Sequence, residues 1–205
     1  MNSLLAFMLA SYIVPIAYVY YKYADSDKEP SSTPRSISSI ITSQEPLFTI
    51  HDSIMLGWAA SVFQTRNFIA ACMFVMAIFT VLYEHERCEM YLNSARWSLS
   101  AIVILLLGIF GVIYIPETNP THYIFAAAAF FAIIGFMVGH TCNGRLTDDL
   151  RLILYAQILF MIVTVIGVLQ DAPIFAVEAL FIMNFAVFYL YLHFNCFSPL
   201  LPVKN

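Results

Sequence analysis

Four side chains suited to acid–base or metal chemistry lie near one end of the membrane spans that we predict below. His51 and Asp52 begin the second span, His122 opens the fourth, and Glu178 lies about two turns into the sixth. Imidazoles and carboxylates bind metal ions and move protons near neutral pH. No ligand-spacing signature joins the four, and ordinary polar residues at helix ends explain them equally well. We take Glu178 and His122 as candidate catalytic residues and His51 and Asp52 as candidate binding residues, and we expect no metal and no cofactor.

A second pair of candidates comes from the cost of polar groups within a membrane. Arg66 lies near the middle of the second span, and an ionisable group at mid-bilayer costs about 2.5–3.5 kcal/mol. We therefore predict that Arg66 and Glu178 face the bundle interior, Arg66 paired with helix carbonyls or Asn and Gln side chains, Glu178 with His122 or water. The alternative is that the Arg66 side chain extends to the membrane–water interface and that Glu178 lies near enough to the outer surface to contact water. Arg66 and Asn184 are further candidate binding residues.

The histidines of the fourth span cannot share one metal ion. His122 and His140 lie 18 residues apart on one helix face, which places them about 27 Å from each other. Each is therefore predicted to be an interfacial group at its own end of the span.

The composition predicts an integral membrane protein. The 205-residue chain is 61% hydrophobic and 11% charged, which is more apolar surface than a water-soluble domain of this size can bury. Because a span needs about 20 mostly apolar residues, we predict an all-α bundle of six transmembrane helices in a single domain, residues 1–205. The predicted spans are residues 4–21, 53–83, 97–115, 121–140, 152–169 and 172–194. The net charge of −4 is small and scattered, so we expect no nucleic-acid partner.

Basic residues and cysteines predict the orientation of the bundle. The loops 84–96 and 141–151 are rich in arginine, which favours both termini in the cytoplasm. The same side would hold three free thiols, either unmodified or palmitoylated: Cys88, Cys142 and Cys196. The first span is predicted to be retained rather than cleaved, because it lacks a basic start and a cleavage site.

The long outer loop, residues 23–50, is semi-apolar in its second half. Ile37, Ile40 and Ile41 recur at helical spacing beside serines, so we predict that residues 36–48 are ordered and lie against the outer ends of the spans.

The second span has two interpretations, because the polar residues 64–67 interrupt its apolar run. We favour one long tilted helix over residues 53–83, since no glycine or proline marks a break between 58 and 83. The other interpretation is a short interfacial helix, a break, and a span that starts near Phe68.

Small and polar residues predict how the helices pack. The stretch "GFMVG" at 135–139 permits close helix approach, either within the chain or in a dimer. Gln157 and Thr164 lie seven residues apart on one face of the fifth span and could bond across helices.

Four segments in matching order resemble a known six-span family. They are "RSISS" with the following "II" and Pro46, "TRNF" around Arg66, "THYIFAAAAFFAIIG" with His122, and "FAVEALFIMNF" with Glu178. The family contains post-GPI attachment to proteins factor 2 and the damage-regulated autophagy modulators. The resemblance implies a secretory-pathway protein of the Golgi or endoplasmic reticulum that takes part in lipid remodelling of GPI anchors. Lysosomal membranes, where the autophagy modulators reside, and the plasma membrane are alternative locations.

Two functions from different classes are compatible with these features. One is binding or acylation of a membrane lipid, such as a GPI-anchored glycolipid, in a lumenal groove. The other is a non-catalytic auxiliary or scaffold subunit of another membrane protein. An acyl-sized groove that reaches Glu178 and His122 would favour the first, and a filled bundle with a partner-covered apolar face would favour the second.

Overall fold

The computed structural model describes residues 3–25, 35–42, 64–87, 92–143 and 147–196. All regular structure within these residues is helical, as the predicted all-α class requires. The helices are α1 (Ser3–Asp25), α2 (Ile37–Ile41), α3 (Thr65–Arg87), α4 (Leu92–Tyr114), α5 (Pro120–Asn143), α6 (Asp148–Leu169) and α7 (Phe175–Tyr191), and a π-helical turn (Leu192–Cys196) follows α7. Residues His51, Asp52, Pro46 and Cys88 lie outside the described residues, as do the side chains of Cys142 and Cys196.

Five described helices are long and apolar enough to cross a membrane. Their candidate spans are Thr65–Glu84, Trp97–Tyr114, Pro120–Thr141, Asp148–Leu169 and Phe175–Asn195. Helix α1 contains a shorter apolar segment, Ser3–Pro15. The chain is therefore an integral membrane protein by the length and composition of its helices.

The start of the second predicted span needs correction. Helix α3 begins at Thr65 rather than at 53, and Gln64 is not helical. The carbonyl of Gln64 accepts the backbone N–H groups of Asn67 and Phe68 at 3.0 and 3.1 Å, as a residue just before a helix does. The polar residues 64–67 thus mark a helix start, which agrees with the second interpretation, a span from near Phe68. Residues 53–63 lie outside the described residues.

Neighbouring helices pack closely where small residues remove side-chain bulk. A Cβ atom at Gly108 of α4 would lie 2.7 Å from the backbone nitrogen of Ala129 in α5, so these helices approach at backbone distance. A Cβ at Gly139 would lie 2.1 Å from the Trp97 ring, and the carbonyl of Gly135 accepts the Trp97 indole N–H at 2.6 Å. Within the described residues, the "GFMVG" stretch therefore packs against α4 of its own chain.

Helices α6 and α7 are joined by amide side chains. Gln157, fully buried, donates to the carbonyl of Phe181 at 3.1 Å, and Asn184 donates to Gln157 at 2.6 Å and to the carbonyl of Ile153 at 2.9 Å. The predicted cross-helix role of Gln157 is confirmed. Thr164 differs, because its hydroxyl donates to Phe160 in its own helix at 2.8 Å.

Candidate functional site

A short segment, residues 35–42, lies against one end of the bundle; we call it the cap segment. Ser36 is the N-cap of its helix α2: the Ser36 hydroxyl oxygen accepts the N–H of Ser39, and the Ser39 hydroxyl oxygen accepts the N–H of Ser36. This capping box stabilises a helix too short to persist alone. The isoleucines of α2 are all buried, so the apolar face of the cap segment is turned into the bundle: Ile37, Ile40 and Ile41.

The cap segment and α7 each supply hydrogen-bond acceptors for backbone N–H groups at the amino-terminal end of the other's helix. The carbonyl of Arg35 accepts the N–H groups of Ile174 and Phe175 at 2.8 and 3.1 Å. In return, the Glu178 carboxylate accepts the N–H of Ile37 at 2.5 Å. The first N–H groups of a helix have no partner within it, so each contact satisfies donors that burial would otherwise leave unpaired. An ion pair between the exposed side chains of Arg35 and Asp171 adds a third contact.

Glu117, in the turn between α4 and α5, binds the serines of the cap segment. One of its carboxylate oxygens accepts the hydroxyls of Ser36, at 2.6 Å, and of Ser38. Burial alone would raise the pKa of Glu117, but the hydroxyl bonds from Ser36 and Ser38, together with the nearby guanidinium of Arg35, outweigh it and lower that pKa below its ordinary value. Glu117 therefore stays ionised at neutral pH.

His122 is buried at the start of α5, with 2% of its surface exposed. Its Nδ1 lies 2.7 Å from the carbonyl of Ile115. A carbonyl only accepts hydrogen bonds, so Nδ1 carries a proton and Nε2 is the ring nitrogen of the neutral imidazole that can accept one.

A cavity of about 180 Å³ lies beneath the cap segment. Its polar end is formed by Arg35, Ser36, Ser38, Glu117, His122 and Glu178. Its deep end runs between apolar side chains of α3, α4, α5 and α7, among them Ile69, Met73, Leu105, Ile133 and Phe181. A dry cavity of about 150 Å³ holds a benzene-sized ligand, so this one has room for part of an acyl chain. The cavity thus combines a polar end with an apolar interior, as a site for an amphiphile requires.

The structure brings two of the predicted site residues together and separates the others. Glu178 and His122 both line the polar end of the cavity, but the hydrogen-bond partner of Glu178 among the described residues is Ile37 rather than His122. Arg66 lies in the first turn of α3 rather than in the middle of a longer helix. Its side chain donates to the Gln64 side chain at 2.9 Å, and its guanidinium lies 5.6 Å from the centre of the Tyr114 ring.

Asn184 also lies away from the cavity, in the α6–α7 contact described above. His51 and Asp52 lie outside the described residues. Within the part of the chain that the structure describes, no three His, Cys, Asp or Glu side chains are grouped to hold a metal ion.

Sequence reasoning missed Glu117 and the pairing of Glu84 with His140. Glu117 occupies a short turn, where an acidic residue is ordinary, and only the fold brings it beneath the cap serines. At the opposite end of the bundle His140 lies 3.2 Å from Glu84, which also accepts the Tyr189 hydroxyl at 2.9 Å. Glu84 is 4% exposed, so this cluster joins α3, α5 and α7 through buried polar contacts. The two histidines thus lie in separate clusters at opposite ends of α5.

Comparison of this chain with protein-family models, with curated proteins and with solved structures found no match.

Proposed function

We propose that this chain is a lipid-binding membrane protein of the secretory pathway, which holds an amphiphilic lipid in the cavity beneath the cap segment. The observation that carries the proposal is the cavity itself, since it runs from the carboxylates of Glu117 and Glu178 into an apolar interior. An auxiliary subunit would need no such space, and a filled bundle would serve it equally well.

The hydrogen-bond acceptors of the polar end favour one kind of headgroup. Glu117 and Glu178 supply carboxylate oxygens that accept hydrogen bonds, and His122 offers Nε2 as another acceptor. Arg35, the cationic side chain at this end, is already paired with Asp171. A headgroup rich in hydroxyl donors fits these acceptors, whereas a headgroup without donors leaves them unmatched. An inositol lipid, with its ring of hydroxyls, has this chemistry.

The biological setting of the proposal rests on the family resemblance. A GPI anchor is an inositol lipid, and the resemblance independently indicates a role in GPI-anchor remodelling. In that setting six spans, with α1 as the first, would place both termini in the cytoplasm and the cap segment in the lumen. The arginines of the loops 84–96 and 141–151 support that orientation.

Photocrosslinking tests the lipid site directly. Purified protein in nanodiscs would be irradiated with a phosphatidylinositol that carries a diazirine in one acyl chain, and the labelled peptides would be mapped by mass spectrometry. We expect labels on cavity residues such as Ile133 and Phe181, and weaker labelling by the corresponding phosphatidylcholine, whose headgroup has no donor. Labels confined to the outer faces of the helices would contradict the proposal.

The alanine run 126–129 offers a matched pair of variants. Ala126 lines the cavity, whereas Ala127 is exposed on the outer face of the same helix. Ala126→Phe should fill the cavity and remove most of the internal label, and Ala127→Phe should leave it unchanged. Equal labelling of the two variants would show that the lipid binds elsewhere.

Complementation tests the cellular role. Cells that lack the GPI-remodelling factor would express this chain, and retention of GPI-anchored proteins at the surface would be scored. We expect restored retention with the unmutated chain and none with Ala126→Phe. Failure of the unmutated chain to complement, although it reaches the right membrane, would overturn the remodelling role.

A further inference from the structure

Tyr12 of α1 carries a polar atom that the fold leaves unused. Among the described residues, its hydroxyl is the buried side-chain nitrogen or oxygen that has no hydrogen-bond partner. The residue is 5% exposed and borders the cavity. Buried phenol hydroxyls usually find a partner, so an unpaired one next to a cavity calls for an explanation.

The position of Tyr12 is well below the polar end of the cavity. Its ring meets that of Phe185 edge to face, with centroids 5.8 Å apart. Phe185 follows Glu178 by seven residues on α7, which corresponds to about 10 Å along the helix. A ligand that reaches from Glu178 to Tyr12 therefore needs a polar group at its head and a second one about that far along its length.

Water is a poor partner for this hydroxyl. A buried water needs two to four polar contacts, and the cavity walls at this depth are apolar, among them Met73, Leu105 and Ile133. Thr164, which also lines the cavity, already donates its hydroxyl proton to Phe160. Phenylalanine would fill the same space without burying an unpaired donor, so the hydroxyl is best explained by a ligand.

We propose that Tyr12 is a specificity-determining residue, whose hydroxyl donates a hydrogen bond to the carbonyl oxygen of an ester-linked acyl chain in the cavity. This inference rests on the proposed lipid site and identifies the part of the lipid that Tyr12 recognises. In a glycerolipid the phosphate and glycerol separate the headgroup from the acyl carbonyls, which matches two polar contacts at different depths. The Tyr12 hydroxyl is buried, and Met73, which also lines the cavity, is a flexible side chain that can adapt to a ligand there.

Competition between two matched lipids tests the inference. Labelling by the photoactivatable phosphatidylinositol would be competed with diacyl phosphatidylinositol and with dialkyl phosphatidylinositol of equal chain length, whose ether linkages lack the carbonyl. For the unmutated protein we expect the diacyl lipid to compete about two- to tenfold better, as the net strength of one neutral hydrogen bond implies. Tyr12→Phe should bring the two lipids within experimental error of each other.

Tyr155→Phe is the matched control, because Tyr155 is 63% exposed on the outer face of α6. It should retain the preference for the diacyl lipid. The inference is overturned if the unmutated protein binds both lipids equally while still being labelled inside the cavity, or if Tyr12→Phe keeps the preference. The proposed lipid site itself fails in a different way, with no label inside the cavity from any probe. Equal thermal stability of the two variants and the unmutated protein would show that a lost preference reflects binding rather than folding.

Discussion

Replacement of Glu178 should loosen the cap segment by an amount that its hydrogen bond predicts. The N–H of Ile37 lies in the first turn of α2, where no helical carbonyl can accept it, and the Glu178 carboxylate does so at 2.5 Å. A hydrogen bond to a charged group contributes about 1.5–3 kcal/mol, and one between neutral groups about 0.5–1.5 kcal/mol. Glu178→Gln keeps an acceptor of similar size, so it should cost at most about 1 kcal/mol. Glu178→Leu removes the acceptor and should cost about 1.5–3 kcal/mol.

Hydrogen exchange of the cap segment measures this loss. Exchange of the Ile37 amide follows the population of the open cap, and about 1.4 kcal/mol corresponds to a tenfold change. We expect exchange at most about fivefold faster in Glu178→Gln and about ten- to a hundredfold faster in Glu178→Leu. Asp149→Asn is the control, because Asp149 accepts the Tyr191 hydroxyl on a different part of the bundle. Exchange in Glu178→Leu indistinguishable from that of the unmutated protein would refute the role assigned to this contact.

Three further predictions concern other contacts. The pKa of Glu117 is lowered in the folded protein, so its contribution to stability is present above its unfolded pKa of about 4.3 and is lost as the pH falls through the folded value. Opening of the cap segment, measured by hydrogen exchange corrected for the intrinsic pH dependence of exchange, should therefore increase below about pH 4.3, and Glu117→Gln should remove this low-pH increase. Gly108→Ala should lower the melting temperature, since its Cβ would lie 2.7 Å from backbone in α5, whereas Gly135→Ala should be tolerated, since nothing lies within 4 Å. Gln157→Leu should cost about 1 kcal/mol in denaturant titrations, in line with hydrogen bonds between membrane helices.

Each of the three has an outcome that contradicts it. A low-pH increase in cap opening that survives in Glu117→Gln would mean that a group other than Glu117 causes it. A melting temperature equally lowered by both glycine variants would show that close approach of α4 and α5 is unimportant. An unchanged midpoint for Gln157→Leu would remove the cross-helix amide bonds from the stabilising contacts of α6 and α7.

The later helices could be predicted because their apolar runs are long and bounded by turn residues. Pro116 and Pro120 bracket the turn between α4 and α5, and the positive φ of Asp171 lies in the turn before α7. The start of α3 was mispredicted because the polar residues 64–67 fit a buried belt as well as a helix start. The depth assigned to Arg66 depended on that choice, whereas its predicted pairing with a Gln side chain agrees with its hydrogen bond to Gln64.

For the site, the sequence could predict only how far along its helix each side chain lies. Counting residues from the helix ends was enough to place Glu178 and His122 near each other. It could not identify Ile37 as the partner of Glu178, because that contact depends on how the cap segment folds back. Glu117 and Tyr12 carry no spacing signal, since one is an acidic turn residue and the other one of 12 tyrosines in a chain rich in aromatics. Their roles follow from burial and neighbours, which are properties of the assembled bundle.

The hydrogen bonds that the cap segment and α7 form with each other set an order of events during biosynthesis. Ile37 and Glu178 are 141 residues apart, and a ribosome makes the chain from its amino terminus. The cap segment therefore leaves the ribosome long before the helix that accepts its N–H group and donates to its Arg35 carbonyl. Until α7 has been inserted, the cavity lacks one wall, and the cap segment lacks its hydrogen bonds to α7. Closure of the cavity is consequently a late step of membrane insertion, and a chain that ends before α7 cannot complete it.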